Sequence, residues 1–403
     1  MNAFKQMETN TPTKDEGIYD IIIAGAGCSG LSLLYSILNT GSLQDQKILV
    51  IDNSFQKAND RTWCFWEQSP GIFESLVCKN WEHISIHKNE FNTTLGTAPF
   101  SYKMIEGLDF YNYVINLAKQ FNNVYWQEAT VTSMETENGI AQMYWEGGMA
   151  KGHKVFSSIL PIDDLYAISQ GKQTAPFLWQ HFKGHLVEFE TSVFDANVAR
   201  LMDFNVDQKG ATGFMYLLPL TDKKALVEYT LFSKTLLNQN DYVLEINAYL
   251  QKHYPNIKYQ IVHEEIGAIP MTTLAFAQSK APIYVIGTLG NAVKASTGYA
   301  FHFIQEQVKQ IVKSLINGKK VDTEIHNTRH KFYDAVLLHI LSNNLMEGSE
   351  IFKRIFQKNK AATIFKFLSN TSSLWEDICI MRSLPTNIFL PAAIKVFIRR
   401  SSF

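Results

Sequence analysis

The stretch Tyr19–Gly30, YDIIIAGAGCSG, restricts what this chain can fold into more than any other. An apolar run ends in Gly25-Ala26-Gly27-Cys28-Ser29-Gly30, which fits G-x-G-x-x-G, and a helical pattern follows with Leu31, Leu34, Ile37 and Leu38 on one face. A second apolar run, Lys47 to Ile51, closes on Asp52, 22 residues past Gly30. Strand, glycine turn, helix, strand and acid in that order predict the opening βαβ unit of a dinucleotide-binding domain. In such a unit Gly25 permits the tight turn, Gly27 admits a pyrophosphate, and Gly30 lets the helix close on the strand. The helix N-terminus offers unpaired N–H groups and partial positive charge to the phosphates, and Asp52 accepts from the ribose hydroxyls. Ala24, Gly25, Gly27, Cys28, Ser29, Gly30 and Asp52 are therefore the cofactor-binding candidates. The blander reading is a glycine-rich turn in an ordinary α/β domain, and the motif alone does not choose between FAD and NAD.

With 403 residues, 46% hydrophobic and 19% charged, the chain is long enough for two domains and is composed like a folded protein. Its net charge of −1 is unevenly spread. From Ile351 onward nine Lys/Arg face two acids, a net +7 that leaves −8 on residues 1–350. Four cysteines without a C-x-x-C or a framework spacing suit a reducing compartment. Residues 1–17 are polar, read as a disordered N-terminus, and show no apolar core of a secretory signal. No run approaches the ~18 apolar residues of a spanning helix. The expectation is a cytoplasmic protein that meets a membrane only peripherally.

Along the chain, Asn59–Trp66, NDRTWCFW, reads as a polar loop ending in aromatics. Arg61 lies either near a phosphate or flavin, or in a simple turn. Residues 107–121 keep helical spacing, and the β-rich stretch from Gly184 to about Ser233 contains a hairpin signal at Thr221–Lys224. Ile283–Ile286 is a further buried strand, followed by Gly287-Thr288-Leu289-Gly290 and by Ser296-Thr297-Gly298 before a helix near 299–315. In two-part flavin folds such a segment returns to the nucleotide domain and sets a helix N-terminus beside the ring. Gly287, Thr288 and Gly298 join the cofactor candidates on that basis. The domain reading is 18–160 as the first nucleotide-binding part, 161–275 as a mostly β substrate domain, 276–330 as the second nucleotide-binding part, and 331–403 as a helical C-terminal region.

Glu228 is the most informative single residue. It shares a strand face with Leu226, Thr230 and Phe232, where burial would raise its pKa and keep it a proton donor near neutrality. If the face is half-exposed it simply points to water. Asp203, in LMDF, has the same ambiguity. His326 and His330 have zinc-like i, i+4 spacing without an intervening Glu or a third ligand, so a surface helix is the better reading and no metal is expected. No basic–aromatic module suits nucleic acid.

Several stretches together resemble the lycopene cyclases of the bacterial and plant β-cyclase type. They are NDRTWCFW at 59–66, QHFKG at 180–184, Leu201–Phe204 with Gln208, LLPLTDKKALVEYT at 217–230, Ile269–Thr272, and GTLGNAVKASTGYAF at 287–301. The similarity runs from about residue 18 into Pro385–Phe397. Tyr229 stands where the family commonly has a second acid, Asn291 and Ala295 where Gly and Pro are expected, and His185 where Trp is usual. The resemblance implies an α/β fold: a two-part FAD-binding Rossmann-like domain of the glutathione-reductase/hydroxylase kind, with an inserted β-rich substrate domain and a helical C-terminal region. It implies redox-neutral closure of the ψ-ends of lycopene to β-ionone rings (β-carotene via γ-carotene), with reduced FAD, NAD(P)H as reductant, and Glu228 and Asp203 as catalytic carboxyls. A substrate held in a bilayer makes the membrane surface a partner, with the basic, acid-free segment 351–368 as docking face or as an ordinary packed helix with a charged outer side. The same fold also suits a flavin monooxygenase or epoxidase, a polyprenyl reductase, or a carotenoid-binding flavoprotein without activity.

Overall fold

A computed structural model describes residues 17–159, 175–276, 279–325 and 327–401. Nearly all of the N-terminal segment, His326 and residues 160–174 at the expected first domain boundary lie outside the described residues. In chain order the strands are β1 (Ile18–Ala24), β2 (Ile48–Asp52), β3 (Thr62–Glu67), β4 (Lys79–Trp81), β5 (His83–Lys88), β6 (Phe91–Gly96), β7 (Ser101–Glu106), β8 (Val124–Glu128), β9 (Val131–Glu137), β10 (Ile140–Trp145), β11 (Gly148–Ser157), β12 (Phe177–Phe189), β13 (Val198–Asp203), β14 (Thr212–Pro219), β15 (Lys224–Ser233), β16 (Tyr259–Thr272) and β17 (Ile283–Val285). The helices are α1 (Cys28–Leu38), α2 (Gly107–Ala118), α3 (Gln239–His253), α4 (Phe301–Ile316), α5 (Thr328–Ser342), α6 (Gly348–Lys358), α7 (Ala361–Leu368), α8 (Leu374–Arg382) and α9 (Thr386–Ser401).

The first sheet has the order β8-β2-β1-β11-β10-β9, and β17 pairs in parallel with the end of β11. Its central strand shows why this sequence makes a two-faced sheet. Ile21 and Ile23 turn into a core shared with α1, α2 and α4, while Tyr19, Ile22 and Ala24 turn into the core on the opposite side. Such doubly covered strands read as continuous apolar runs, as Tyr19–Ala24 does. The three-residue pairing of β17 with Val155–Ser157 returns the late chain to the sheet that holds the glycine turn. Buried Gln307 of α4 holds the turn after β17, accepting from the Gly287 N–H at 2.8 Å and donating to the Gly290 carbonyl at 3.0 Å.

The second sheet has the order β16-β12-β15-β14-β13-β5-β6, and a small third sheet is β3-β7-β4. Strands β5 and β6 therefore come from residues 83–96, so the expected boundary at 161 does not divide the two large sheets. The reason is packing: Ile84 and Ile86 alternate into the same buried cluster as Leu201 and Met202, which seats β5 parallel to β13. The second half of Asn59–Trp66 is the strand β3 rather than loop. The edge strand β16, absent from the sequence reading, is mostly exposed over its first half, which erases the alternation that would reveal it.

The C-terminal helices are not a separate layer. Ile351, Phe352 and Phe356 of α6 and Ile364 and Phe365 of α7 are buried in one cluster with Leu226 and Phe232 of β15. The segment 351–368 thus keeps its apolar side in the core, and the packed alternative holds for it.

At the glycine turn, Gly25 has φ +100°, and a Cβ on Gly30 would stand 1.9 Å from the Gly25 carbonyl oxygen. A Cβ on Gly27 would meet nothing within 4 Å. Gly30→Ala is expected to destabilise the fold by about 1–3 kcal/mol through overpacking. Gly27→Ala is expected to stay within about 1 kcal/mol, the scale of an N-cap effect. Thermal unfolding of the two variants measures the difference.

Candidate functional site

A cavity of about 450 Å³ runs between the glycine turn and the second sheet. At one end it is walled by Gly27, Cys28 and Ser29 opening α1, by Thr288, and by Thr297–Phe301 leading into α4. Neither helix has a side-chain cap or an acid in its first turn, so both N-termini present partial positive charge to this end. The open space over Gly27 and the buried Thr297 hydroxyl, which has no partner among the described residues, are what a phosphate and a ring-bearing cofactor need. Of the sequence candidates, Gly27, Cys28, Ser29, Arg61, Thr288, Gly298 and Glu228 line the cavity. Ala24, Gly25, Gly30 and Gly287 shape the turns behind it. Burial pushes the Cys28 thiol up to about 12, so it remains protonated and carries no thiolate chemistry.

Asp52 sits at the end of β2 and braces the glycine turn. It accepts from the Ala26 N–H at 2.5 Å and the Ser54 N–H at 3.0 Å, and it pairs with Lys57 at 2.9 Å. Two carboxylate oxygens offer about four acceptor sites, so capacity for a hydroxyl partner is left. Arg61 stands at the cavity mouth and donates to the Ile266 carbonyl at 3.1 Å.

The other end is built around three residues in a row. Gly184 of β12 lies opposite Glu228 of β15 on one side and opposite Glu265 of β16 on the other. A Cβ on Gly184 would stand 3.2 Å from Glu265 Cγ and 3.4 Å from Glu228 Cβ. With no side chain between them, the two carboxyl groups reach across and hydrogen-bond each other. Both are buried and both line the cavity. The Thr230 hydroxyl donates to Glu228 Oε1 at 2.7 Å, and the Thr62 hydroxyl donates to Glu265 Oε2 at 2.8 Å.

Burial raises the Glu228 pKa well above the usual carboxylate range, the neighbouring Glu265 raises it further, and the Thr230 hydrogen bond offsets only part of this. Burial raises Glu265 as well, but the hydrogen bonds from Thr62 and Glu228 and the charges of His263 and Arg61 hold it lower. Two such groups in contact cannot both ionise, so the pair keeps one proton, centred on Glu228.

Around the pair the walls are aromatic: Phe182, Phe214, Tyr216, Phe232 and Tyr299 line this end. Tyr216 lies directly opposite Glu228 on β14 and shares a short hydroxyl–hydroxyl hydrogen bond with Tyr102. Trp63 lines the cavity and stacks on Phe301, with ring centroids 5.9 Å apart. Trp66 instead leaves it to stack on Phe365 at 4.7 Å.

Asp203 is not brought to Glu228. It accepts from Tyr249 at 2.9 Å and from the Asn205 N–H and side chain at 3.1 and 2.9 Å, and pairs with Arg200 at 3.2 Å. Tyr249 belongs to α3, which packs on the other face of the second sheet. The bulge between Arg200 and Asp203 turns Leu201 and Met202 to the cavity and Asp203 away. As a second cavity acid it is replaced by Glu265, which sequence reading missed. The only signal was the Glu264-Glu265 pair upstream of Ile269-Pro270-Met271, and nothing local says that β16 lies two strands from Glu228. His330 is a buried core histidine, bonded to Asn327 at 2.9 Å and Ser372 at 3.1 Å. Among the described residues no His, Cys, Asp and Glu cluster could hold a metal.

The glycine turn of the first sheet and the return of β17 to it define a two-part dinucleotide-binding α/β fold. Solved structures share that fold at low identity. A flavoprotein/dehydrogenase of Cytophaga hutchinsonii matches with TM-score 0.57 and 10% identity, covering 94% of this chain and 99% of that one. A geranylgeranyl bacteriochlorophyll reductase-like protein of Thermoplasma acidophilum matches with TM-score 0.54 and 13% identity, covering 94% and 95%. A Klebsiella pneumoniae HpxO variant complexed with FAD matches with TM-score 0.57 and 11% identity, covering 88% and 98%. In sequence, the "Lycopene cyclase protein" family model matches residues 20–393, and the chain belongs to that family. The lycopene beta-cyclase of Pantoea ananas is 24% identical over 299 residues, 70% of this chain and 71% of that protein.

Two measurements separate the carboxyls. Asp203→Asn removes the charge partner of Arg200 and is expected to cost about 3 kcal/mol of stability, the scale for breaking a buried pair. Glu228 has a folded-state pKa raised above its unfolded value. Its contribution to stability is full below about pH 4.5, the ordinary carboxyl value, and is lost as pH rises through the folded value. Glu228→Gln does not titrate, so its unfolding temperature relative to wild type is expected to rise with pH. A flat difference between pH 4.5 and 8.5 would contradict a raised pKa.

Proposed function

We propose that the protein is a lycopene β-cyclase that binds FAD at the glycine-turn end of the cavity and carries out acid–base chemistry at Glu228. The observation that carries this reading is the buried pair Glu228–Glu265, which keeps a carboxylic acid protonated inside an aromatic cavity. An alkene is a feeble base, so its protonation calls for a strong acid in a water-poor pocket. Glu228 gives its proton to C2 of a ψ-end, leaving a cation at C1. The C5=C6 bond attacks C1, the charge moves to C5, and loss of the C6 proton restores the double bond. Proton in and proton out balance, so the product is isomeric with the substrate. Glu265 keeps the pair's single proton on Glu228 before transfer, and because the doubly ionised pair is too costly to persist, the proton lost from C6 returns to the pair afterwards.

The aromatic faces of Tyr216, Phe182, Phe214 and Phe232 stabilise the cation by on the order of 1–2 kcal/mol each, and they keep out water that would capture it as an alcohol. At the other end, the N-termini of α1 and α4, with Gly27, Ser29 and Thr288, would hold the phosphates of FAD. Asp52 would accept from its ribose, and Thr297 and Gly298 lie on the ring side. Reduced flavin, with NAD(P)H as reductant, would supply negative charge facing the cation. The aromatic end of the cavity, between Phe182, Phe214, Tyr216 and Phe232, would take one end group of the substrate at a time.

Expression in cells that accumulate lycopene tests the reading. Monocyclic or bicyclic β-ring carotenes are expected. Hydroxylated, epoxidised or reduced pigments, or unchanged lycopene, would overturn it in favour of a monooxygenase, a reductase or a binding protein. Glu228→Gln should retain flavin and lose ring formation, and Glu265→Gln should slow it by about 10²–10⁴-fold.

A further inference from the structure

Helices α8 and α9 present an apolar face to solvent. Leu374, Trp375, Ile378 and Met381 fall within one side of α8 and are 41–68% exposed. Leu390 and Ile394, one turn apart on α9, are more than half exposed. The opposite sides are anchored: Ile380 of α8 and Ala392 and Val396 of α9 are buried in the cluster that holds the cavity-lining Leu226 and Phe232. Single exposed apolar side chains are ordinary, but several on one side of each of two successive helices mark surfaces meant to be covered.

The charge of this face narrows what covers it. The two helices carry Arg382, Lys395, Arg399 and Arg400 against Glu376 and Asp377, a net +2. Arg382, Lys395 and Arg399 are exposed on the same two helices. The two acids of the segment are already engaged, Asp377 buried against Arg329 at 3.0 Å and Glu376 paired with Lys366 at 2.7 Å. We propose that the outer face of α8 and α9 docks on an anionic lipid bilayer, with the apolar side chains in the interfacial layer and the basic ones among the headgroups. A second copy of the chain would set like charge against like across a two-fold axis, whereas a bilayer supplies both the apolar layer and the opposite charge. Among the described residues no helix is long and apolar enough to cross a membrane, so this contact lies in the interface. The surface lies beyond the 351–368 segment to which the sequence pointed. It adjoins α7, whose Phe365 stacks on Trp66 and Tyr102. The proposal does not depend on the cyclase reading, since it rests on the face alone.

The test is sedimentation of the purified full chain with phosphatidylcholine vesicles, with and without phosphatidylglycerol. Wild type is expected to bind the phosphatidylglycerol vesicles and to be released by salt. Trp375→Ser with Ile378→Asn, and separately Arg382→Gln with Lys395→Gln and Arg399→Gln, are each expected to weaken binding at least about ten-fold. Unchanged unfolding temperatures would show that both variants are folded. Three results would overturn the proposal: no binding to either vesicle, equal binding by wild type and variants, or a concentration-dependent oligomer of wild type that the apolar variant abolishes.

Discussion

Three residue pairs between β11 and β17, Val155–Ile283 to Ser157–Val285, hold this architecture together. The pairing carries the chain back from the second sheet to the glycine turn, and everything after it follows from that return. Gln307 locks the turn that leaves β17, and α4 then starts with its uncapped N-terminus on the same cavity as that of α1. The loop between them is tied to the C-terminal helices by the buried Lys294, which pairs with Asp334 at 2.8 Å and donates to Asn370 at 2.6 Å. A buried charge is stable only when so partnered, so the loop, α5 and the turn after α7 are mutually fixed. The cavity therefore has a rigid far wall although that wall is made of loop.

At the other end the governing constraint is electrostatic. Two carboxyl groups out of water and in contact share a proton because the doubly ionised state is too costly. The arrangement exists because strand register sets Gly184 between Glu228 and Glu265, and because glycine leaves the space above it empty. A side chain at 184 would separate the acids. The aromatic walls, the two threonine hydroxyls and the position of Arg61 all act on the same quantity, the cost of charge inside the cavity.

Much of this was legible in the chain. The apolar run, the glycine turn and Asp52 are close in sequence, and local order suffices to read them. The β17 return was legible for the same reason, since a strand, a glycine and a helix stand in succession at 283–315. At Glu228 the pattern left burial and exposure open, because Ala225–Phe232 is buried on both faces of β15 and shows no alternation, and the resemblance pointed to it. Asp203 misled, since a bulge reverses the face on which it stands. The 351–368 segment misled because a basic amphipathic helix looks the same whether its apolar side meets a core or a lipid surface.

By itself, then, the sequence determined the two-part α/β fold and the glycine turn at one end of the cavity, because short-range pattern encodes strand, turn and helix. Only the tertiary structure decided the second acid and the outward face of α8 and α9. Glu265 lies 37 residues past Glu228 on an edge strand, and strand order, not spacing, makes them neighbours. Which side of a helix remains uncovered is a property of what packs on its other side. The glycine turn located one end of the cavity, and the acid pair opposite it depends on a register that no local pattern records.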